Sequence, residues 1–234
     1  MKPRLLLVHT IPPLIQVFNQ LGKRLLPEAD LVHILDEPVL AWIRQRGGLE
    51  DAAVSRLQEH IQWAGKLGAR AALVTCSTLS PAVDLLKVSL PVYKIDQAMI
   101  EQAVREGHTI GILATAQSTL EPTRLSLERE ANKQEKTVIT HMVLVNHAFD
   151  AFLAGDWQTH DRLVWEAIRA LDPTVDLVML AQASMARALE TPPKVELAFP
   201  VLTSPQAALE RVRDDLFTGS VEQADSLPYG DKGG

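Results

Sequence analysis

The residues best suited to chemistry surround the one cysteine of the chain. Cys76 stands in Leu73-Val74-Thr75-Cys76-Ser77-Thr78, a thiol flanked by three hydroxyls. The apolar run Ala71 to Val74 before it reads as a short buried strand, and Ser80-Pro81 after it reads as a helix start. A thiol at a strand's carboxyl end, beside a helix amino terminus, lies where α/β sheets bind ligands. Free N–H groups and positive potential there favour both a thiolate and a bound carboxylate. The competing reading is an inert, buried small hydrophobe, and the polar neighbours weigh against it. His9 ends the first strand, with Thr10 after it. A Cys–His pair would lower the thiol pKa and keep it reactive, whereas the plainer reading is a hydrogen-bonded structural histidine. His141, Asn146 and His147 lie on or just after one strand and read as surface or core. His33, His60, His108 and His160 read as solvated. No His/Cys/Asp/Glu set has metal-ligand spacing, so no metal is expected. Asp36-Glu37-Pro38 reads as a helix cap or a lid contact.

Strand-like and helix-like stretches alternate almost throughout. Strands are expected at Leu5–Val8, Leu31–Leu35, Ala71–Val74, Val92–Ile95, Thr109–Leu113, Val138–Val145, Leu177–Leu180 and Val195–Ala198. Helices are expected at Pro13–Leu26, Leu49–Leu67, Ser80–Lys87, Gln97–Glu106, Glu121–Ala131, Phe149–Leu153, Trp157–Leu171, Ala183–Leu189 and Ser204–Phe217. Pro122 falls in a first helical turn, and Asp96 and Asp156 are placed to cap. This order predicts an α/β fold with mainly parallel sheets and helices on both faces. The polar stretch 218–234 lacks helical periodicity and reads as a flexible tail.

Composition narrows the function. The chain has 234 residues and a net charge of −6, with no block of Lys or Arg. Nucleic acid and anionic membrane are not expected as partners on that balance. The longest apolar stretches are strand-length, short of a membrane span. Met1-Lys2-Pro3-Arg4 leads into a strand without the apolar core of a secretory signal. One cysteine makes no internal disulfide framework and favours a reducing compartment, so the cytoplasm is expected.

The two halves of the sequence rhyme. Leu7-Val8-His9-Thr10 echoes Ile112-Leu113-Ala114-Thr115. Ala71 to Thr78 echoes Leu177-Val178-Met179-Leu180-Ala181-Gln182-Ala183-Ser184. In order and spacing these suggest two related lobes facing one another. Thr75-Cys76-Ser77-Thr78, Pro91-Val92-Tyr93-Lys94-Ile95-Asp96, Gly111-Ile112-Leu113-Ala114-Thr115 with Thr119, Gly155-Asp156 and Asp176 to Gln182 together resemble the aspartate/glutamate racemase superfamily. Hydantoin racemase, maleate isomerase and arylmalonate decarboxylase belong to it. The resemblance implies two Rossmann-like lobes related by a pseudo-twofold axis. The first would span 1–95 plus about 204–217, and the second 96–203. It also implies cofactor-independent chemistry on a small carboxylate or amino acid in the interlobe cleft. Cys76 takes the acid/base role, Ser77 and Thr78 bind the carboxylate, and Thr115 and Thr119 bind substrate from the second lobe. Relatives often dimerise, so a homodimer is admitted.

The chain departs from that pattern at one position. The second lobe's cysteine is replaced by Gln182, and a carboxamide neither gives nor takes a proton near neutral pH. Symmetric two-thiol racemisation is not available. A single thiol still supports one-face protonation after decarboxylation, addition to a polarised double bond, or proton removal with return by another group. The candidate set is Cys76 and His9 as catalytic groups, with Thr10, Ser77, Thr78, Thr115, Thr119, Gln182, Ala183 and Ser184 binding substrate. A lyase acting on a malonate-like acid, a non-catalytic carboxylate-binding protein and a cysteine hydrolase are the rival readings.

Overall fold

The computed structural model describes residues 2–171, 174–189 and 197–218. Two four-stranded, all-parallel sheets carry the chain. The first contains β1 (Arg4–His9), β2 (Asp30–Leu35), β3 (Ala69–Val74) and β4 (Val92–Lys94), in the order β2-β1-β3-β4. The second contains β5 (Thr109–Ala114), β6 (Ile139–Leu144), β7 (Leu177–Leu180) and β8 (Val201–Thr203), in the order β6-β5-β7-β8. The same order occurs twice, so the sequence echo has a structural meaning: β1 matches β5, and β3 matches β7. These four strands are central in their sheets and buried on both faces, which is why they read as unbroken apolar runs. Leu7, Val8, Leu73, Val74, Ile112, Leu113, Val178 and Leu180 are completely buried.

Helices cover both faces. They are α1 (Pro13–Leu25), α2 (Glu37–Arg46), α3 (Asp51–Lys66), α4 (Gln97–Glu106), α5 (Gln117–Lys133), α6 (Ala148–Leu153), α7 (Trp157–Arg169) and α8 (Ser204–Arg213). Each is held by an apolar stripe. Leu14, Phe18 and Gly22 of α1 face the first sheet, and Leu57, Ile61 and Ala64 of α3 face it from the other side. Ala208, Leu209 and Val212 of α8 join a core cluster with Leu5, Leu7 and Phe18, so the last helix packs on the first sheet. Phe149, Phe152 and Ala183 enter the same cluster and bind the lobes together.

Several sequence expectations need correction. The helix α2 was not anticipated: Glu37-Pro38 opens it, and the Asp36 side chain caps it by accepting from Val39 N at 3.3 Å. The expected helices after β3 and β7 are 3-10 turns, Ser80–Leu85 and Ala183–Leu189. α5 begins at Gln117, which moves Pro122 from the first turn into the helix interior. The strand expected at Val195–Ala198 forms later, as β8, and Val195 lies outside the described residues together with 219–234. His33 and His160, read as solvated, are engaged: His33 bonds His9, and His160 is fully buried against Asp161.

Candidate functional site

In an open parallel sheet a ligand crevice forms at the carboxyl ends of neighbouring strands whose connections leave in opposite directions. In the first sheet that point lies between β1 and β3, and in the second between β5 and β7. Thr10 follows β1, Cys76 follows β3, Ala116 follows β5 and Gln182 follows β7. All four line one cavity of about 30 Å³ between the lobes. Thr75, Ser77, Thr78, Ala183 and Ser184 line it too. A water needs about 10–15 Å³ by this measure, so the cavity as it stands has room for ordered water and not for an amino acid.

Cys76 is 9 % exposed, and that exposure faces the cavity. Burial pushes its thiol pKa up. The Thr10 hydroxyl and the N–H groups of Leu79 and Thr78 pull it down, and the Asp96 carboxylate raises it. The thiol therefore has donors in place for a thiolate but lies buried, which disfavours one. The Oγ atoms of Ser77 and Ser184 are buried without a hydrogen-bond partner, and both residues line the cavity. Orphaned buried hydroxyls are costly, and two of them around one cavity point to a polar ligand that satisfies them.

His9 does not meet the thiol. It is completely buried beneath the cavity, with both ring nitrogens engaged. Its Nδ1 shares a hydrogen bond with Thr75 Oγ1 at 2.8 Å, and its Nε2 shares one with His33 Nδ1 at 2.8 Å. His33 Nε2 in turn meets Asn19 Oδ1 at 3.1 Å. Burial, with His33 nearby, lowers the His9 pKa from 6.5 to about 3, so the ring is neutral. The expected Cys–His pair is thus replaced by a Thr10–Cys76 contact, and His9 acts on the site only through Thr75. The physical reason is strand alternation: successive side chains after β1 point to opposite sides, and Thr10, not His9, faces the cavity.

The remaining candidates fall in place around the lobe boundary. Thr78 Oγ1 lies 3.1 Å from Thr119 Oγ1 and 3.4 Å from Ser118 Oγ, so a first-lobe hydroxyl bridges to α5. Thr119 is completely buried and reaches the site only through Thr78. Thr115 lines an outer cleft of about 780 Å³, which shares Arg44, Thr78, Ala116 and Phe149 with the inner cavity. Asn146 and His147 line that outer cleft, whereas His141 is exposed elsewhere. Gln182 Oε1 accepts hydrogen bonds from Thr115 N at 2.5 Å, Thr115 Oγ1 at 2.9 Å and Ala116 N at 3.1 Å.

Sequence reasoning missed three residues. Arg44, on the unanticipated α2, lays its guanidinium over the Phe149 ring at 5.0 Å, a contact from one lobe to the other where the inner cavity meets the outer cleft. From the sequence Phe149 is only a helix residue. The sequence places Asp96 as a helix cap, but its side chain makes no capping bond. Its carboxyl is buried, and burial raises its pKa from 3.8 to about 6, with Ser80 hydrogen-bonding it. An Ile-Asp pair at the end of β4 was the available signal: an acid following a buried strand end. Asp36, by contrast, is a structural junction, with Arg56 Nε at 2.8 Å and His60 Nε2 at 2.6 Å on one of its oxygens. Among the described residues no group of three or more His, Cys, Asp or Glu is placed to hold a metal, and no helix is long and apolar enough to cross a membrane.

Two parallel lobes that face each other with their strand ends, around a small cavity holding one thiol, define a two-lobed α/β cleft protein. The Asp/Glu/Hydantoin racemase family model matches residues 15–212. The chain belongs to that family, and membership indicates an isomerase of the racemase type. Solved structures share the fold at low identity. A glutamate racemase isoform from Bacillus anthracis is 14% identical with a TM-score of 0.68, covering 94% of this chain and 84% of that one. Allantoin racemase from Klebsiella pneumoniae is 17% identical with a TM-score of 0.66, covering 99% and 96%. An aspartate racemase from Picrophilus torridus is 12% identical with a TM-score of 0.69, covering 91% and 94%. No curated protein matches the chain by sequence.

Proposed function

We propose that the protein is a cofactor-independent racemase-type enzyme that acts on a small carboxylate or amino acid through the Cys76 thiol. The observation that carries this reading is the placement of Cys76. It lies at the switch point of the first sheet, on a cavity lined by the unpartnered hydroxyls of Ser77 and Ser184. In this reading the ligand's carboxylate satisfies the Ser77 hydroxyl and the N–H groups after Cys76, and the Ser184 hydroxyl bonds a polar group at the ligand's other end. The thiolate then takes the proton from the carbon beside it, and a second group, not Gln182, returns a proton to that carbon to complete the turnover. The negative charge that develops moves onto the carboxylate, where donors fixed before the reaction stabilise it. Opening of the Arg44–Phe149 contact admits the ligand, and closure removes water from the thiol. A reducing compartment, the cytoplasm, is the setting that keeps Cys76 free, and a homodimer is compatible with this reading.

A second reading has its own support. Gln182 holds the position opposite Cys76 and has no titratable proton. This favours chemistry at one face only, as in a lyase where Cys76 protonates the enediolate left by decarboxylation of a malonate-like acid. Both readings are tested by one measurement. Alkylation of Cys76 by iodoacetamide is followed by mass spectrometry against a panel of amino acids and small dicarboxylates, and protective acids are then incubated in D₂O. The expected result is protection by a carboxylate and deuterium entering at a single face, with no label in a Cys76→Ala variant. No protection by any acid, with unchanged alkylation at all concentrations, would overturn the assignment of a carboxylate site. Equal exchange at both faces would overturn the one-thiol mechanism.

A further inference from the structure

The second lobe offers a cradle for one anionic oxygen. The connection from β5 to α5 turns the N–H groups of Thr115 and Ala116 and the Thr115 hydroxyl toward one point. α5 has no side-chain cap of its own: Ala116 stands at its N-cap. Three donors on one oxygen is a pattern suited to a carboxylate or a developing oxyanion. In this chain the point is occupied by Gln182 Oε1, delivered from the end of β7. The two unpartnered hydroxyls of the cavity stand one on each lobe, Ser77 and Ser184, so a ligand space remains beside the filled cradle.

We propose that Gln182 is the internal ligand of the second lobe's oxyanion cradle, and that it thereby restricts the site to carboxylate binding from the Cys76 side alone. This rests on the carboxylate reading above for the ligand class. Gln182 is a positioning and specificity-determining residue. With its oxygen tied by three bonds, its carboxamide plane is fixed, and the group left for a ligand is the Nε2 amide, a donor only. The first lobe therefore takes the carboxylate, and the second presents a neutral donor to the opposite end. An acid with one carboxylate and an acceptor at its other end suits this arrangement. An acid that needs both cradles must first expel Gln182, leaving a polar amide to be rehoused.

Shortening the side chain vacates the cradle. The expected result is that Gln182→Gly binds formate at least tenfold more tightly than the wild-type protein. In ¹⁵N spectra the Thr115 and Ala116 amides should shift on titration with formate in the variant and stay still in the wild type. Gln182→Asn, one methylene too short to reach, should behave like the glycine variant if that variant fails to fold. Gln182→Glu puts a carboxylate oxygen in the cradle and should exclude formate again. Equal formate affinity in the wild type and in whichever shortened variant folds would overturn the proposal, as would shifts confined to residues around Cys76. The readout does not involve the thiol. A Cys76 that no acid protects, alongside formate entering the vacated cradle, would sink the catalytic reading and leave this one standing.

Discussion

Two buried groups beneath the site should tilt the pH dependence of stability in opposite directions, and single substitutions separate them. His9 is neutral in the fold, with its pKa lowered from 6.5 to about 3 by burial and then by His33. The unfolded chain binds a proton at His9 below 6.5 and the fold does not, so this stability is present at neutral pH and is lost as pH falls toward 3. At 1.36 kcal/mol per unit, acidification from about pH 7.5 to about pH 4.5 costs about 3 kcal/mol at this residue. Asp96 works the other way. Its pKa is raised from 3.8 to about 6 by burial, so the fold takes up a proton before the unfolded chain does. Its stabilising effect is complete below 3.8 and is lost as pH rises through 6; over the same acidification it returns about 2 kcal/mol. His33 and His160, also lowered by burial, add to the acid-labile side. Urea unfolding at a series of pH values in wild type, His9→Asn and Asp96→Asn is the assay. Between about pH 7.5 and about pH 4.5 the His9→Asn protein should lose about 3 kcal/mol less than wild type, and the Asp96→Asn protein about 2 kcal/mol more. Parallel curves for all three proteins would refute the argument that these two side chains are held in charge states opposed to their solution ones.

Other consequences follow from contacts around the cleft. Arg44→Ala removes the cation–π contact that bridges α2 and α6 over the cavity mouth, a contact worth about 0.5–2 kcal/mol, and Cys76 alkylation should become several-fold faster with the overall fold retained. An unchanged rate would mean that this contact does not gate the thiol. At Gly111 in the centre of β5, an added methyl would lie 3.1 Å from Leu171 Cδ1 and 3.3 Å from Val178 Cγ2. Val178 is completely buried on the paired strand β7 and has little room to give, so Gly111→Ala should destabilise by about 1–3 kcal/mol through overpacking, measured by denaturant midpoint.

Much of the architecture was legible because a buried parallel strand leaves an unmistakable mark. Leu5–Val8, Ala71–Val74, Thr109–Leu113 and Leu177–Leu180 are apolar runs because helices cover both faces of each sheet, and their order forces parallel pairing. The edges were harder. β2 and β6 are half exposed, and β8 spans only Val201–Thr203, so its position depends on pairing with Val178 to Leu180 rather than on its own sequence. Helix α2 was missed because Pro38 and the polar Arg44, Gln45 and Arg46 hide a short apolar face of Val39 and Ile43. That omission also concealed Arg44 at the mouth of the site.

For the site, local sequence determined which chemistry is on offer: one thiol after a buried strand, hydroxyls beside it, and a carboxamide at the matching place in the second half. These depend only on residue type and on the ends of strands. Tertiary structure decided which of them meet. His9 and Thr10 are adjacent in the chain, yet alternation sends the first into a buried chain of hydrogen bonds through Thr75, His33 and Asn19 and the second to the thiol. Whether Gln182 reaches a ligand or its own backbone depends on the loop after β5, 66 and 67 residues away, whose amides close on its oxygen. Such long-range encounters are set by how two lobes pack, and no local spacing encodes them.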